Sequence, residues 1–305
     1  MRDASGPNGR TWVAFVLIVL FGGANAVAVR QTVLELDPLW AAGTRFAIAG
    51  ALMLAIALAD RQPFPTRRGF RDAAVYGVFA FAISFACINL GLHDVPGGTG
   101  SVIIASAPLL TLGLAIAQGQ ERFHVRALLG ALIAVAGVAI VFLDQLETAV
   151  PLGSLLLVLF GALSLSQSSI LVRGMARTDP LWTNAIGMLT GSALLLAVSA
   201  IAGEAWLLPS RTTTWLAMAY IIVFGSVVVF SLSIYVLRRL PASVAAYSVL
   251  LFPLVGVTVA TLLTGERFSL SFVIGGAVML LGIYIGAFQR RPARTAPSST
   301  MADPG

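Results

Sequence analysis

The sequence predicts an all-α integral membrane protein of ten transmembrane helices, arranged as an inverted 5+5 repeat. Three observations predict it. Hydrophobic residues make up 58% of the chain and charged residues only 10%, against about 25% charged in soluble proteins. Ten apolar runs are long enough to cross a hydrocarbon core, which takes about 20 helical residues. Finally, Pro96, Pro108, Glu121-Arg122-Phe123, Gly130 and Gly137 return 145 residues later as Pro241, Pro253, Glu266-Arg267-Phe268, Gly275 and Gly282, and Asp37-Pro38-Leu39-Trp40 returns as Asp179-Pro180-Leu181-Trp182. Spanning β-strands would alternate apolar with polar residues, and these runs do not.

The first run, 12–29, follows Arg2 and Arg10 and ends near Ala24-Asn25-Ala26, which resembles a signal-peptide cleavage site. It is too long for a signal core of about 7–15 residues, and its Leu20-Phe21-Gly22 matches Leu159-Phe160-Gly161 of the sixth run, so it reads as a retained helix. Runs 38–59, 96–117, 180–202 and 241–264 begin at or beside Pro38, Pro96, Pro180 and Pro241; proline suits a first helical turn, where the amide proton has no partner. Run 73–92 carries the single cysteine, Cys87, which reads as a packing residue. Runs 127–143, 152–172, 213–237 and 269–288 complete the set. Short connections make sequential neighbours antiparallel. The first repeat spans 12–143 and the second 152–288; 1–11 and 289–305, polar and rich in Pro, Ser and Arg, read as cytoplasmic tails, the last one disordered.

Arginine placement orients the chain. With both ends cytoplasmic, fifteen of the 19 basic residues, all arginine, fall in inner segments. Only Arg30, Arg211 and Arg267 fall outside, and Arg45 lies within a helix. That bias follows the positive-inside rule. An odd number of helices per repeat forces the second repeat into the membrane upside down, so the multi-pass chain sits in the cell membrane with both termini inside.

The net charge of +6 is scattered between apolar runs, without the basic stripe of a nucleic-acid binder. His93 and His124 lie in turns and belong to no metal motif. Gly97-Gly98-Thr99-Gly100 lacks the Lys-Ser/Thr of a phosphate loop. No metal, cofactor or catalytic group is expected. The partners expected are the lipid bilayer and a small-molecule solute, not nucleic acid; a homodimer stays open.

Leu20-Phe21-Gly22-Gly23-Ala24-Asn25, Asp37-Pro38-Leu39-Trp40 through Arg45-Phe46, Ala107-Pro108-Leu109, Glu121-Arg122-Phe123 and Gly130…Gly137, with the second copy from Pro253 to Gly282, resemble the EamA family of the drug/metabolite transporter superfamily. The resemblance spans nearly all of 12–288. One departure is Phe21-Gly22 where the family frequently has Trp-Gly. The resemblance implies a central cavity, alternating access and a secondary transporter, many relatives exporting amino acids or other small metabolites. A broader drug-efflux carrier and a non-transporting membrane receptor are the alternatives.

Several residues are candidates for solute contact. Pro108 and Pro253 fall mid-helix, where proline frees the carbonyl four residues back, and broken helices at equivalent places in two halves point to a carrier's central site. Tyr247 and Ser248 precede Pro253 by about a turn and a half; Ser106, with Ser101, offers a poorer polar set on helix four. Arg45, costing about 2.5–3.5 kcal/mol to insert at the bilayer centre, anchors an anionic group, or pairs with Glu35 or Asp37, or bonds free helix carbonyls. Asn25 and Gln167, at equivalent places in helices one and six, orient a polar solute or bond helix to helix. Asn89 and Tyr235 are weaker candidates near the membrane surface. None of the 13 acidic residues lies deep in a span. A proton-coupled exporter of cations needs such a carboxylate, so the expected cargo is neutral, zwitterionic or anionic.

Overall fold

A computed structural model of the chain describes residues 8–95, 97–141, 143, 151–176, 178–264 and 270–288. Eight helices are long and apolar enough to cross a membrane, and two shorter apolar helices bring the number among the described residues to ten. They are α1 (Gly9–Val33), α2 (Pro38–Ala59), α3 (Arg67–Gly91), α4 (Gly97–Ala105 and Ala107–Ala117), α5 (Val125–Val141), α6 (Leu152–Gly174), α7 (Pro180–Ala202), α8 (Thr212–Leu237), α9 (Ala242–Thr264) and α10 (Leu270–Ile283, continued by a π-helical turn over Tyr284–Phe288). Pro96, the Glu266-Arg267-Phe268 turn, Asp144, Glu147, residues 1–7 and residues 289–305 lie outside the described residues.

Two boundaries move for capping reasons. α1 starts at Gly9, earlier than its apolar run, because Asn8 Oδ1 accepts from the Thr11 amide at 3.1 Å, as an N-cap does. α3 starts at Arg67 because Thr66 Oγ1 accepts from the Gly69 amide at 3.1 Å. Its first turn is polar, and hydropathy alone does not register it as helix.

The two halves meet through equivalent elements: α2 against α7, α4 against α9 and α5 against α10. Both glycine-bearing pairs run antiparallel. On α5 and α10, a Cβ at Gly137 would come 2.7 Å from Gly275 O, and one at Gly130 would come 2.6 Å from Gly282 O. The repeated glycines of the sequence are therefore partners of each other, and their missing side chains let two backbones touch. On α2 and α7, Gly43 faces Leu196, Gly50 faces Leu189, and Ser192 Oγ donates to Gly43 O at 2.8 Å. Equivalent helices that run antiparallel are what an inverted duplication requires.

The two mid-helix prolines behave differently. α4 breaks at Ser106, whose amide and hydroxyl both donate to Ile103 O, at 3.0 and 2.6 Å. α9 runs through Pro253 as one helix. The residue equivalent to Ser106 is Leu251, which has no hydroxyl to draw a carbonyl out of the helical pattern. The predicted pair of equivalent breaks is thus one break and one continuous helix.

Gly137→Leu is expected to destabilise the protein by about 1–3 kcal/mol through overpacking at the α5–α10 contact. Gly113→Leu, where a Cβ meets nothing within 4 Å, should cost far less. Thermal unfolding of both variants in detergent checks the contrast.

Candidate functional site

α3 and α8 each contain a six-residue π-helical turn, Val78–Ile83 and Val223–Val228. The two turns stand 145 residues apart, at the spacing of the repeated motifs. π turns leave carbonyls without their usual helical partner and cluster at functional sites. In α3, Ser164 Oγ of α6 donates to Phe79 O at 2.8 Å. In α8, Arg45 does this: its Nη2 donates to Gly225 O at 2.9 Å and its Nε to Ser226 Oγ at 2.7 Å, while Ser226 Oγ donates to Ile221 O. Arg45 is 3% exposed, and its guanidinium also lies over the Phe46 ring at 5.0 Å and near Phe85 at 5.9 Å. The residue equivalent to Arg45 in α7 is Gly187, and there α7 and α3 simply close on each other: a Cβ at Gly77 would run into the Gly187 backbone. Arg45 therefore fills, with a charged side chain, the space that its pseudo-symmetric counterpart closes by glycine contact.

The helix ends that carry few arginines are clamped. Glu204, just past α7, accepts from the amides of Leu39 (3.0 Å) and Trp40 (2.7 Å) and from Ser199 Oγ (2.6 Å). It thereby caps α2, where a carboxylate meets both free amides and the helix dipole. Asp37 accepts from the Ala205 amide at 2.6 Å. Trp40 stacks on Trp206 with ring centres 4.7 Å apart and donates to Leu207 O at 2.8 Å. Glu35 accepts from Ser210 through both its hydroxyl, at 2.6 Å, and its amide. Those bonds, the Ser210 hydroxyl first, hold the Glu35 carboxyl at about 2, below its ordinary 4.5. At the arginine-rich end, Glu121 caps α9: its carboxylate accepts from the Ser243 amide at 3.2 Å and hydroxyl at 2.6 Å, with Arg173 at 3.9 Å. This is the work of the repeated Glu-Arg-Phe turn in its first copy, and the repetition itself was its only signal in the sequence.

A cavity of about 100 Å³ lies within about four turns of the arginine-rich ends of α1, α3, α6, α8 and α9. Its polar wall is Ser168 and Ser169 of α6, Ser233 of α8, Ser248 of α9 and Tyr76 of α3; Ile18, Ala80 and Phe230 are among its apolar members. Among the described residues no charged side chain lines it. Phe230 and Tyr76 belong to an aromatic cluster: Phe81 lies 4.8 Å from Phe230 and 5.6 Å from Tyr76, and Phe46 lies 4.8 Å from Phe81 and 4.7 Å from Phe85. Phe46 and Phe81 are fully buried, and this packed layer stands between the cavity and the Arg45 group.

Of the eight candidate residues, Ser248 lies in the cavity wall. Tyr247 points away from it, to Ala127 O of α5 at 3.4 Å and against Gly286. Ser106 bonds within α4, and Pro108, buried, and Pro253 do not line the cavity. Arg45 pairs with neither Glu35 nor Asp37, both of which are engaged by the α7–α8 connection. Asn25 and Gln167 are not brought together: Asn25 lies against Gly225 with its buried Oδ1 lacking a hydrogen-bond partner, and Gln167 accepts from Gln118 at 2.7 Å. The cavity serines other than Ser248 sit in an apolar helical context with no motif. Only the packing of five helices reveals that Ser168, Ser169 and Ser233 share a space.

The EamA-like transporter family matches twice, over residues 10–143 and 152–287. Among named relatives, "Uncharacterized inner membrane transporter YedA" of Escherichia coli (strain K12) is 29% identical over 84% of this chain and 83% of its own length. "Probable amino-acid metabolite efflux pump" of Salmonella typhimurium is 25% identical over 92% of this chain and 96% of its own. A solved crystal structure superposes with a TM-score of 0.77 at 19% identity, covering 92% of this chain and 98% of that one.

Two outcomes are expected. Arg45→Met leaves Gly225 O unpaired in the π turn and should lower stability by about 1–3 kcal/mol, read as a fall in unfolding temperature; Arg211→Met, at an exposed loop, should not. The Glu35 bonds contribute stability that is full above its ordinary value of 4.5 and is lost as pH falls from there through about 2. Glu35→Gln should therefore flatten the acid-induced change in tryptophan fluorescence between pH 5 and 2.

Proposed function

The chain belongs to the EamA-like transporter family, and from that premise we propose that this multi-pass membrane transporter exports small polar metabolites such as amino acids by alternating access. The observation that carries the proposal is the cavity: α1 and α3 from one half and α6, α8 and α9 from the other build one small, hydroxyl-bearing, uncharged space. A solute held between two halves is handed across the membrane when those halves rock about their shared contacts. The pseudo-symmetric pairs α2–α7 and α5–α10 supply such contacts.

In this reading the arginine-rich ends are cytoplasmic, the cavity occupies the cytoplasmic half, and the Glu204, Asp37 and Trp40–Trp206 clamp closes the outer end. The structure then represents the outward-closed stage. The first and second repeats, 12–143 and 152–288, are the moving units. The amino-acid part of the proposal draws on the Salmonella relative's name and on the cavity's modest volume and hydroxyl lining. Among the described residues no carboxylate lines the cavity, which favours neutral or zwitterionic cargo over cationic drugs and a coupling mechanism that does not use a buried proton carrier.

Overexpression should protect cells from toxic amino-acid analogues several-fold more than from lipophilic cationic drugs. Proteoliposomes should show amino-acid flux that persists when an imposed pH gradient is collapsed. Protection against the drugs alone, or absence of flux for every amino acid, would overturn the proposal.

A further inference from the structure

The polarity of the cavity wall is set by where its hydroxyl protons point. Ser168 Oγ donates to Leu165 O at 2.7 Å and Ser169 Oγ to the same carbonyl at 3.3 Å. Ser233 Oγ donates to Val229 O at 2.7 Å, and Ser248 Oγ to Ala245 O at 2.8 Å. A carbonyl carries no proton, so in each pair the serine is the donor. A hydroxyl has one proton and two lone pairs; with the proton turned back onto its own helix, the lone pairs are what it has left to offer. The Tyr76 hydroxyl is likewise directed outside the lining, towards Asn184 Oδ1 at 3.5 Å. Among the described residues the remaining lining is apolar or aromatic, with no arginine, histidine or side-chain amide to donate and no carboxylate to neutralise a lone cation.

Such a wall discriminates by hydrogen-bond sense. A solute's carboxylate would find no donor there without breaking a serine's intrahelical bond, whereas an N–H group meets acceptor oxygens directly. The rings of Tyr76 and Phe230 in the same wall also favour a group with positive character. We propose that Ser168, Ser169, Ser233 and Ser248 form an acceptor subsite that takes the primary amine end of the cargo. A zwitterion, which carries its own counter-charge, enters with its ammonium among the serines and its carboxylate directed out of the subsite. This rests on the carrier reading above and adds to it which end of the solute is recognised and by which atoms.

The test compares, on the purified full-length protein, thermal stabilisation by the twenty L-amino acids, their amides and their N-acetyl derivatives. Among the amino acids that stabilise the protein, the amides should retain binding at about pH 9, where their amine, with an ordinary pKa of about 8, is neutral and still presents N–H groups to the serines. The N-acetyl derivatives should bind at least tenfold more weakly, and Ser233→Ala/Ser248→Ala should weaken the free amino acids about tenfold. Equal binding of the N-acetyl derivatives by the unaltered protein would overturn the subsite, whatever the variant does, and so would undiminished binding by a folded double variant or stabilisation by no amine at all. The two readings fail separately. Flux of amine-free organic acids alone would leave a carrier without this subsite; amine binding that obeys the pattern, with no flux of any solute, would leave the subsite without a carrier.

Discussion

In hydrocarbon no water is at hand to satisfy a backbone carbonyl that leaves the helical pattern, and every irregular turn must find its partner inside the protein. That constraint organises the centre of this molecule. Apart from the π turn that ends α10, each half interrupts one helix with a π turn, and each of these two is met by a side chain from a neighbouring helix: Ser164 for Phe79 O, Arg45 for Gly225 O. A guanidinium is costly to bury, and here two hydrogen bonds and two aromatic faces offset that cost. Arg45 thus ties α2 to α8 more than one turn before Phe230, where α8 begins to line the cavity. The same side chain viewed in the sequence, without Ser226 or Phe85 beside it, is equally compatible with holding a solute.

Glycine plays the complementary part. Where backbones touch, on α5–α10 and between Gly77 and Gly187, no side chain is needed to fill or to pair. The two halves are therefore alike in outline and unlike in detail. One side of the pseudo-two-fold is closed by glycine contact and the other by Arg45; one mid-helix proline sits beyond a break and the other within a continuous helix. These positions are where the two halves of the duplicated fold differ.

The ends of the bundle use carboxylates as caps. Glu204 on α2 and Glu121 on α9 each accept from amides at a helix start, one at either end of the molecule. Both are acidic residues outside the spans, which reconciles a carrier poor in buried acids with a fold that still uses them. The Glu121 cap lies at the end of the bundle nearer the cavity, and the aromatic cluster of Phe46, Phe81, Phe85 and Phe230 joins the cavity wall through Phe230.

How much of this was legible follows from the range of each interaction. Crossing helices, the duplication, Pro38 and Pro180 at helix starts and the inversion are written in composition and in local pattern, because a bilayer of fixed thickness and proline's fixed geometry act on short stretches of chain. The glycine spacing was legible as a repeat but not as a mutual contact. The π turns and the grouping of Ser168, Ser169 and Ser233 with Ser248 were not legible, and for Arg45 the bond to a free helix carbonyl that the structure shows was one of several readings the sequence left open. A hydroxyl on an apolar helix looks the same whether it faces lipid, a neighbour or a cavity, and the direction it faces is fixed by five helices converging from distant parts of the chain. The sequence by itself determined the number of the helices and their inverted repetition; only the tertiary structure decided which helices pair and which polar groups they enclose, since that depends on rotation about each helix axis, a quantity set by packing.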